Sequence, residues 1–140
     1  MTLIRRIAYI QFTDPAGYPP LEHSSRILAD AGWDVLFLGT ETKGVETLSF
    51  APHPRIRVRR LRVHGQGLLQ RLNYIVYVLW ASLHCAKFRP AWLYASEPLA
   101  APVALIQRRL RNLRILYHEH DSPSPDAPPR GRIQELIMRA

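Results

Sequence analysis

The sequence contains one cysteine, two lysines and no apolar run long enough to cross a membrane. Cys85 alone excludes an intrachain disulfide framework or a cysteine metal cluster, and it indicates a reducing compartment. The most hydrophobic segment, residues 68–87, has an apolar core shorter than the about 20 residues of a span, and Arg71 and Lys87 flank that core. The N-terminus enters a strand pattern without the apolar stretch or cleavage site of a signal peptide. We therefore expect a cytoplasmic location.

Three sequence motifs of well-known enzyme classes are also missing. No Gly-x-Gly-x-x-Gly follows the first strand pattern, and no Gly-x-x-x-x-Gly-Lys-Ser/Thr occurs, so the usual phosphate cradles are absent. A Gly-x-Ser-x-Gly elbow is absent as well. The sequence thus favours neither dinucleotide binding, nor P-loop hydrolysis of ATP, nor α/β-hydrolase chemistry, and we expect no cofactor and no metal site.

Charge is biased towards basic residues. The sequence contains 19 lysines and arginines and 11 acidic residues, which gives a net charge of +8. Of the basic residues, 17 are arginine. Such a surface favours anionic partners such as phosphates, nucleic acid or acidic lipid headgroups. A solvated basic surface without a specific partner is the alternative. Nucleic acid is not expected as a partner, because the aromatic residues fall mostly in predicted core rather than beside the arginines.

Apolar patterning predicts one α/β domain. With 140 residues, of which 47% are hydrophobic, the chain can bury one core but has no room for a second domain. Strand and helix patterns alternate along it, with Gly32 placed to end the first helix. The predicted strands cover residues 7–12, 35–38, 56–62, 92–96 and 115–117, and the predicted helices cover 21–31, 68–87 and 99–110.

Two of these predicted elements leave alternatives open. Residues 56–62 alternate apolar with basic side chains, which predicts an edge strand kept soluble by its arginines; a phosphate or lipid contact is the alternative. Residues 68–87 favour a buried crossover helix, and interfacial membrane contact through Tyr77 and Trp80 is the alternative.

The last predicted strand, placed centrally in the sheet, ends in a run of groups that carry protons or charge. These residues are His118, Glu119, His120 and Asp121. In an open parallel sheet, ligands bind at the carboxyl ends of the strands, so this run is a candidate site. The two histidines, two residues apart, could also bind a metal, but no third ligand is evident.

Three segments together resemble a known family. Residues 19–39, 93–100 and 115–121, the last reading Ile-Leu-Tyr-His-Glu-His-Asp, are similar to the N-terminal domain of family 4 glycosyltransferases with the GT-B fold. The resemblance covers nearly the whole chain and implies a Rossmann-like parallel sheet with helices on both faces. It implies that residues 1–140 form the acceptor-side domain, without the C-terminal domain that mainly holds the nucleotide-sugar donor.

The resemblance also implies a reaction. Family members transfer a sugar from a nucleotide-sugar donor to an acceptor hydroxyl, with retention, in the cleft between two domains. By resemblance, His120 contacts the transferred sugar, and we infer that Glu119 and Asp121 orient an imidazole or accept sugar hydroxyls. His118 is a further candidate contact. Family members often carry a glycine pair after the first strand, whereas this sequence has Gly17 alone.

Four more residues fall at the same predicted edge of the sheet. Asp14, Tyr18 and His23 lie in the loop or the first helical turn after strand one and are candidate sugar or acceptor contacts. For His23, an ordinary exposed helix position is the alternative. Glu97 could bind the acceptor or cap its own helix.

The C-terminal residues bear on the mode of action. A last predicted helix runs into residue 140 without a cap or a following strand. We therefore expect a missing C-terminal half, which another chain could supply, and little or no transfer by this chain alone. The alternative is a non-catalytic module that binds an acceptor, a partner chain or an anionic membrane surface. Peripheral attachment at the inner face of the membrane would suit a lipid-linked acceptor.

Overall fold

The computed structural model describes residues 5–17, 19–41, 50–63 and 67–118. Within these ranges five strands and three helices alternate, with short 3-10 turns at Pro15–Gly17 and Pro98–Ala100. The strands are β1 Arg6–Ile10, β2 Asp34–Glu41, β3 Ile56–Arg62, β4 Trp92–Ala95 and β5 Arg114–Tyr117, and the helices are α1 Pro19–Asp30, α2 Leu68–Phe88 and α3 Ala101–Leu110.

All five strands pair in parallel, in the order β3-β2-β1-β4-β5. The chain builds outward from β1 to β3, crosses back through α2, and continues with β4 on the other side of β1. This arrangement is Rossmann-like and confirms the predicted fold class.

Side chains alternate between the two faces of the sheet, and each face carries its own helices. On β1, Ile7 and Tyr9 pack with α1, whereas Ala8 and Ile10 pack with α2 and α3. Because both faces are covered, β1 and β2 read as continuous apolar runs in the sequence. Gly32, with φ of 88°, lets the chain leave α1 as predicted.

Several predicted boundaries shift. β1 ends at Ile10, two residues before the predicted limit, while β2 extends to Glu41 because its last residues pair with β3. The predicted central position of the last strand is wrong for the described part of the chain, where β5 lies at one edge of the sheet.

The predicted burial of α2 is also wrong. Only Tyr77, Ala81 and Cys85 of its side chains are fully buried, because a helix lying on a sheet packs one face against it. Large apolar side chains on the opposite face stay exposed, including Leu79 at 60% and Leu83 at 62%.

β3 lies at the other edge, as predicted. Three arginines in and beside it form ion pairs with carboxylates of this chain, namely Arg55 with Asp34, Arg60 with Asp14 and Arg62 with Glu41. These pairs hold the edge strand against β2 and the loop after β1.

Candidate functional site

The candidate site lies at the carboxyl edge of the sheet, where β1 and β4 are neighbours. The loop after β1 leads towards β2 on one side, and the loop after β4 leads towards β5 on the other side, which makes this a topological switch point. Ile10 of β1 pairs in register with Ala95 of β4, so the loops after the two strands emerge side by side. Such crevices are the usual ligand sites of open α/β sheets.

Glu97 joins the two loops at the switch point. It follows β4, and its Oε1 accepts a hydrogen bond from the backbone N–H of Phe12, two residues after β1. Desolvation of this half-buried carboxyl raises its pKa, and the hydrogen bond from Phe12 partly opposes that rise. Its side chain makes no capping hydrogen bond to the 3-10 turn that begins at Pro98. Glu97 thus joins the ends of two strands instead of capping its own helix.

Further hydrogen bonds fix the loop after β1. The Tyr77 hydroxyl of α2 donates to the backbone oxygen of Gln11 over 2.7 Å, and the Thr40 hydroxyl of β2 donates to that of Phe12 over 3.0 Å. The loop lies so close to β2 that a Cβ on Gly39 would come 2.5 Å from the backbone oxygen of Thr13. Neighbours on both sides therefore hold this loop in one conformation.

An apolar groove opens beside Glu97. It has a volume of about 350 Å³ and lies between the first turns of α2 and the loops after β1 and β4. Its lining residues are Phe12, Gln70, Arg71, Tyr74, Ile75 and Leu99. The Tyr74 hydroxyl donates to the backbone oxygen of Leu99 and ties α2 to the loop after β4. Sequence reasoning missed this groove, because its walls come from three distant segments; the only signal was an aromatic residue beside polar ones at the start of α2.

His118 lies at the carboxyl end of β5. Its backbone N–H donates to the oxygen of Ala95, and its Nδ1 lies 2.6 Å from the Tyr94 hydroxyl. The structure therefore places His118 at the same edge as Glu97, one strand further along. Glu119, His120, Asp121 and Tyr18 lie outside the described residues, so their predicted roles stay predictions.

Asp14 and His23 lie apart from the switch point. The Asp14 carboxylate accepts hydrogen bonds from the Ala16 N–H at 2.9 Å and from Arg60 Nε at 3.0 and 3.1 Å. It thereby fixes the 3-10 turn and links it to β3. His23 is exposed on α1, the helix that covers the face opposite α2. Of the predicted sugar or acceptor contacts, the four that the structure describes, Asp14, His23, Glu97 and His118, are thus spread over the edge rather than gathered in one cluster.

Within 5–17, 19–41, 50–63 and 67–118, no three His, Cys, Asp or Glu side chains come together as a metal site. No helix in those ranges has both the length and the hydropathy of a membrane span.

The sequence profile of the family described as "Glycosyl transferase 4-like domain" matches residues 21–140. The chain belongs to this family. The match begins in α1 and includes the whole 118–121 run, so the resemblance read from the sequence is confirmed. No curated protein sequence matches the chain.

Solved structures agree with this membership at the level of the fold. Sucrose-phosphate synthase from Thermosynechococcus elongatus superposes with a TM-score of 0.66 at 17% identity, over 96% of this chain and 39% of that one. MurG of Acinetobacter baumannii superposes with a TM-score of 0.62 at 14% identity, again over 96% and 39%. The chain therefore spans 39% of the length of these two proteins and has the fold of the N-terminal half of a GT-B glycosyltransferase.

Proposed function

We propose that this chain is the acceptor-side half of a glycosyltransferase that transfers a sugar from a nucleotide-sugar donor to an acceptor hydroxyl with retention. The family match over residues 21–140 carries the proposal. A sheet whose switch point opens beside an apolar groove supports it, because that is where such folds bind ligands.

In this proposal the described residues build the acceptor wall of the cleft. The groove beside Phe12 and Tyr74 offers an apolar surface for the acceptor, and Arg71 at its rim would attract an acidic acceptor group. Glu97 holds the loop after β4 beside the loop after β1, because its carboxylate accepts the hydrogen bond from the Phe12 N–H. His120, two residues beyond His118, would contact the transferred sugar, with Glu119 and Asp121 beside it.

The donor side is proposed to come from a second Rossmann-like half. Transfer requires that donor and acceptor be held in a water-excluding cleft, and one domain supplies one wall. The share of 39% of each neighbour fits this division. We therefore expect the 140-residue chain to show little or no transfer alone.

Transfer by the protein that contains the second half tests the proposal. A panel of nucleotide-sugars would be incubated with candidate acceptors, and the anomeric configuration of the product would be read by nuclear magnetic resonance. His120→Ala should abolish transfer, whereas His53→Asn should not, because His53 pairs with Asp30 at the opposite edge of the sheet. Transfer with inversion would contradict the retaining mechanism, and full activity of His120→Ala would contradict the role of that residue.

A second candidate function is a binding module without catalysis. The exposed apolar face of α2 favours it, since large exposed apolar patches mark interaction sites. The same transfer assay distinguishes the two candidate functions. A module would bind an acceptor or a surface whether or not a donor half is present, and no nucleotide-sugar would be turned over by the assembled protein.

A further inference from the structure

The outer face of α2 carries a continuous apolar stripe. Half or more of each of seven large apolar side chains is exposed along this 21-residue helix. They are Leu68, Leu69, Leu72, Ile75, Val76, Leu79 and Leu83. Five of them recur at alternating steps of three and four residues, which keeps them on one side of the helix. The stripe has an area on the order of several hundred Å², as large as the largest patches of typical monomers.

The stripe shares Ile75 with the groove beside Glu97 and extends beyond it along the helix. Tyr77, Ala81 and Cys85 face the sheet, and the stripe faces away from it. It runs from the carboxyl edge, where α2 begins, for about 30 Å towards the opposite edge. A partner seated across the carboxyl edge would therefore reach only its first turns.

The charges around the stripe are of one sign. Residues 67–118 contain seven basic residues and one acidic residue, Glu97, which is half-buried against the loop after β1. Six of them are Arg71, Lys87, Arg89, Arg108, Arg109 and Arg111, whereas the seventh, Arg114, lies over the Trp92 ring on the face of the sheet opposite α2.

The edge strand adds to this charge. Arg57 and Arg59 of β3 are exposed, and their register with Leu36 and Leu38 places them on the same face of the sheet as α2. Among the described residues, the carboxylates of Asp14, Glu22, Asp30 and Glu41 are bonded to groups outside α2 and α3.

We propose that the outer face of α2 binds the surface of an anionic lipid bilayer. The helix would lie in the plane of the interface with its apolar stripe below the headgroups, and the basic residues around it would contact the lipid phosphates. An apolar stripe flanked by basic residues is the arrangement by which amphipathic helices bind such surfaces. The proposal concerns attachment alone and does not depend on sugar transfer.

Charge argues against a second copy of the chain as the occupant. In an antiparallel pairing of two α2 helices, Arg71 of one copy would approach Lys87 of the other at both ends of the stripe. In a parallel pairing, each of these residues would approach its own counterpart. Like charges that face each other oppose association, whereas an anionic surface neutralises all of them.

A fluorescent label on the stripe tests the contact directly. Leu79→Cys and Ile27→Cys are matched positions, with parent side chains 60% and 57% exposed, and they lie on helices at opposite faces of the sheet. Cys85 would not compete for the label, because burial raises the pKa of its thiol to about 12. With vesicles of phosphatidylcholine and phosphatidylglycerol, the label at Leu79→Cys should shift to the blue and that at Ile27→Cys should not.

Vesicle flotation of the 140-residue chain measures the binding strength. Arg108→Gln combined with Arg109→Gln should weaken binding about tenfold to thirtyfold at low salt. Arg55→Gln combined with Arg62→Gln removes the same charge from residues paired elsewhere and should have a smaller effect. Leu79→Gln should weaken binding about tenfold and Ile27→Gln should not. Circular dichroism would establish that each variant is folded.

Three results would overturn the proposal. One is equal binding to neutral and anionic vesicles at about 0.1 M salt, where charges within about 10 Å still attract. Another is a chain that dimerises through the stripe, with the dimer lost in Leu79→Gln. The third is a label at Leu79→Cys that is already blue-shifted without vesicles, which would mean that residues 119–140 or another segment cover the stripe.

Discussion

Removal of the Glu97 carboxylate tests the link between β1 and β4. In Glu97→Ala the backbone N–H of Phe12 loses its acceptor at a half-buried position. A buried donor left without a partner costs about 1–3 kcal/mol, and partial access of water puts the expected loss of unfolding free energy at about 1–2 kcal/mol. Glu97→Gln keeps an acceptor oxygen at the same place and should lose less.

The pH dependence of stability gives a sharper test, because burial raises the pKa of Glu97. The folded chain then keeps this proton to a higher pH than the unfolded chain, whose Glu97 has an ordinary pKa. The resulting stabilisation is fully present below the unfolded pKa and is lost as pH rises through the folded pKa. Glu97→Gln cannot ionise, so the stability of the wild type relative to this variant should fall by about 1.4 kcal/mol per unit of pKa shift.

Urea unfolding followed by circular dichroism measures both effects. The wild type, Glu97→Gln and Glu97→Ala would be unfolded at several values between about pH 4 and pH 8. Comparison of variants removes the contributions of the other carboxyl groups. The argument is refuted if Glu97→Ala and Glu97→Gln are equally stable, or if the wild type gains stability over Glu97→Gln as pH rises.

Three other substitutions and one reaction probe the core around this link. Gly39→Ala should cost about 1–3 kcal/mol in urea unfolding, since its Cβ would lie 2.5 Å from a backbone oxygen of the loop after β1. Tyr77→Phe should cost about 1–2 kcal/mol, because the backbone oxygen of Gln11 loses its donor, and Tyr74→Phe, at an exposed hydrogen bond, should cost less. Cys85 should react with a thiol reagent at neutral pH only on unfolding, because its pKa of about 12 in the folded chain keeps the thiol protonated; rapid labelling of the folded chain would contradict its burial.

The periodicity of apolar residues predicted most of the strands and helices. The buried runs of β1 and β2 and the glycine after α1 are local signals, and they placed these elements to within a few residues. The length of β2 was underestimated because Gly39, a weak strand former, ends the apolar run, although Gly39 and Thr40 both pair with β3. That pairing is a long-range contact, which periodicity does not report.

The exposed face of α2 shows that apolar content alone does not predict how much of a helix is buried. An all-apolar helix is normally buried, so the sequence favoured a buried crossover. Whether the outer face of such a helix is exposed depends on whether a further layer of structure packs on it. A single sequence does not specify the number of layers. Glu97 was similarly ambiguous, because its acceptor role involves an N–H group 85 residues earlier in the chain.

The bond between Glu97 and Phe12 constrains how the switch point can be used. In many open α/β sheets, backbone N–H groups after the first strand bind ligand phosphates. Here the N–H of Phe12 already donates to a carboxylate, and the backbone oxygens of Gln11 and Phe12 accept bonds from α2 and β2. A donor phosphate at this point would have to displace Glu97, whose carboxylate would also repel it while ionised. These bonds support the proposal that this loop belongs to the acceptor side of the cleft and that phosphate binding falls to groups outside it.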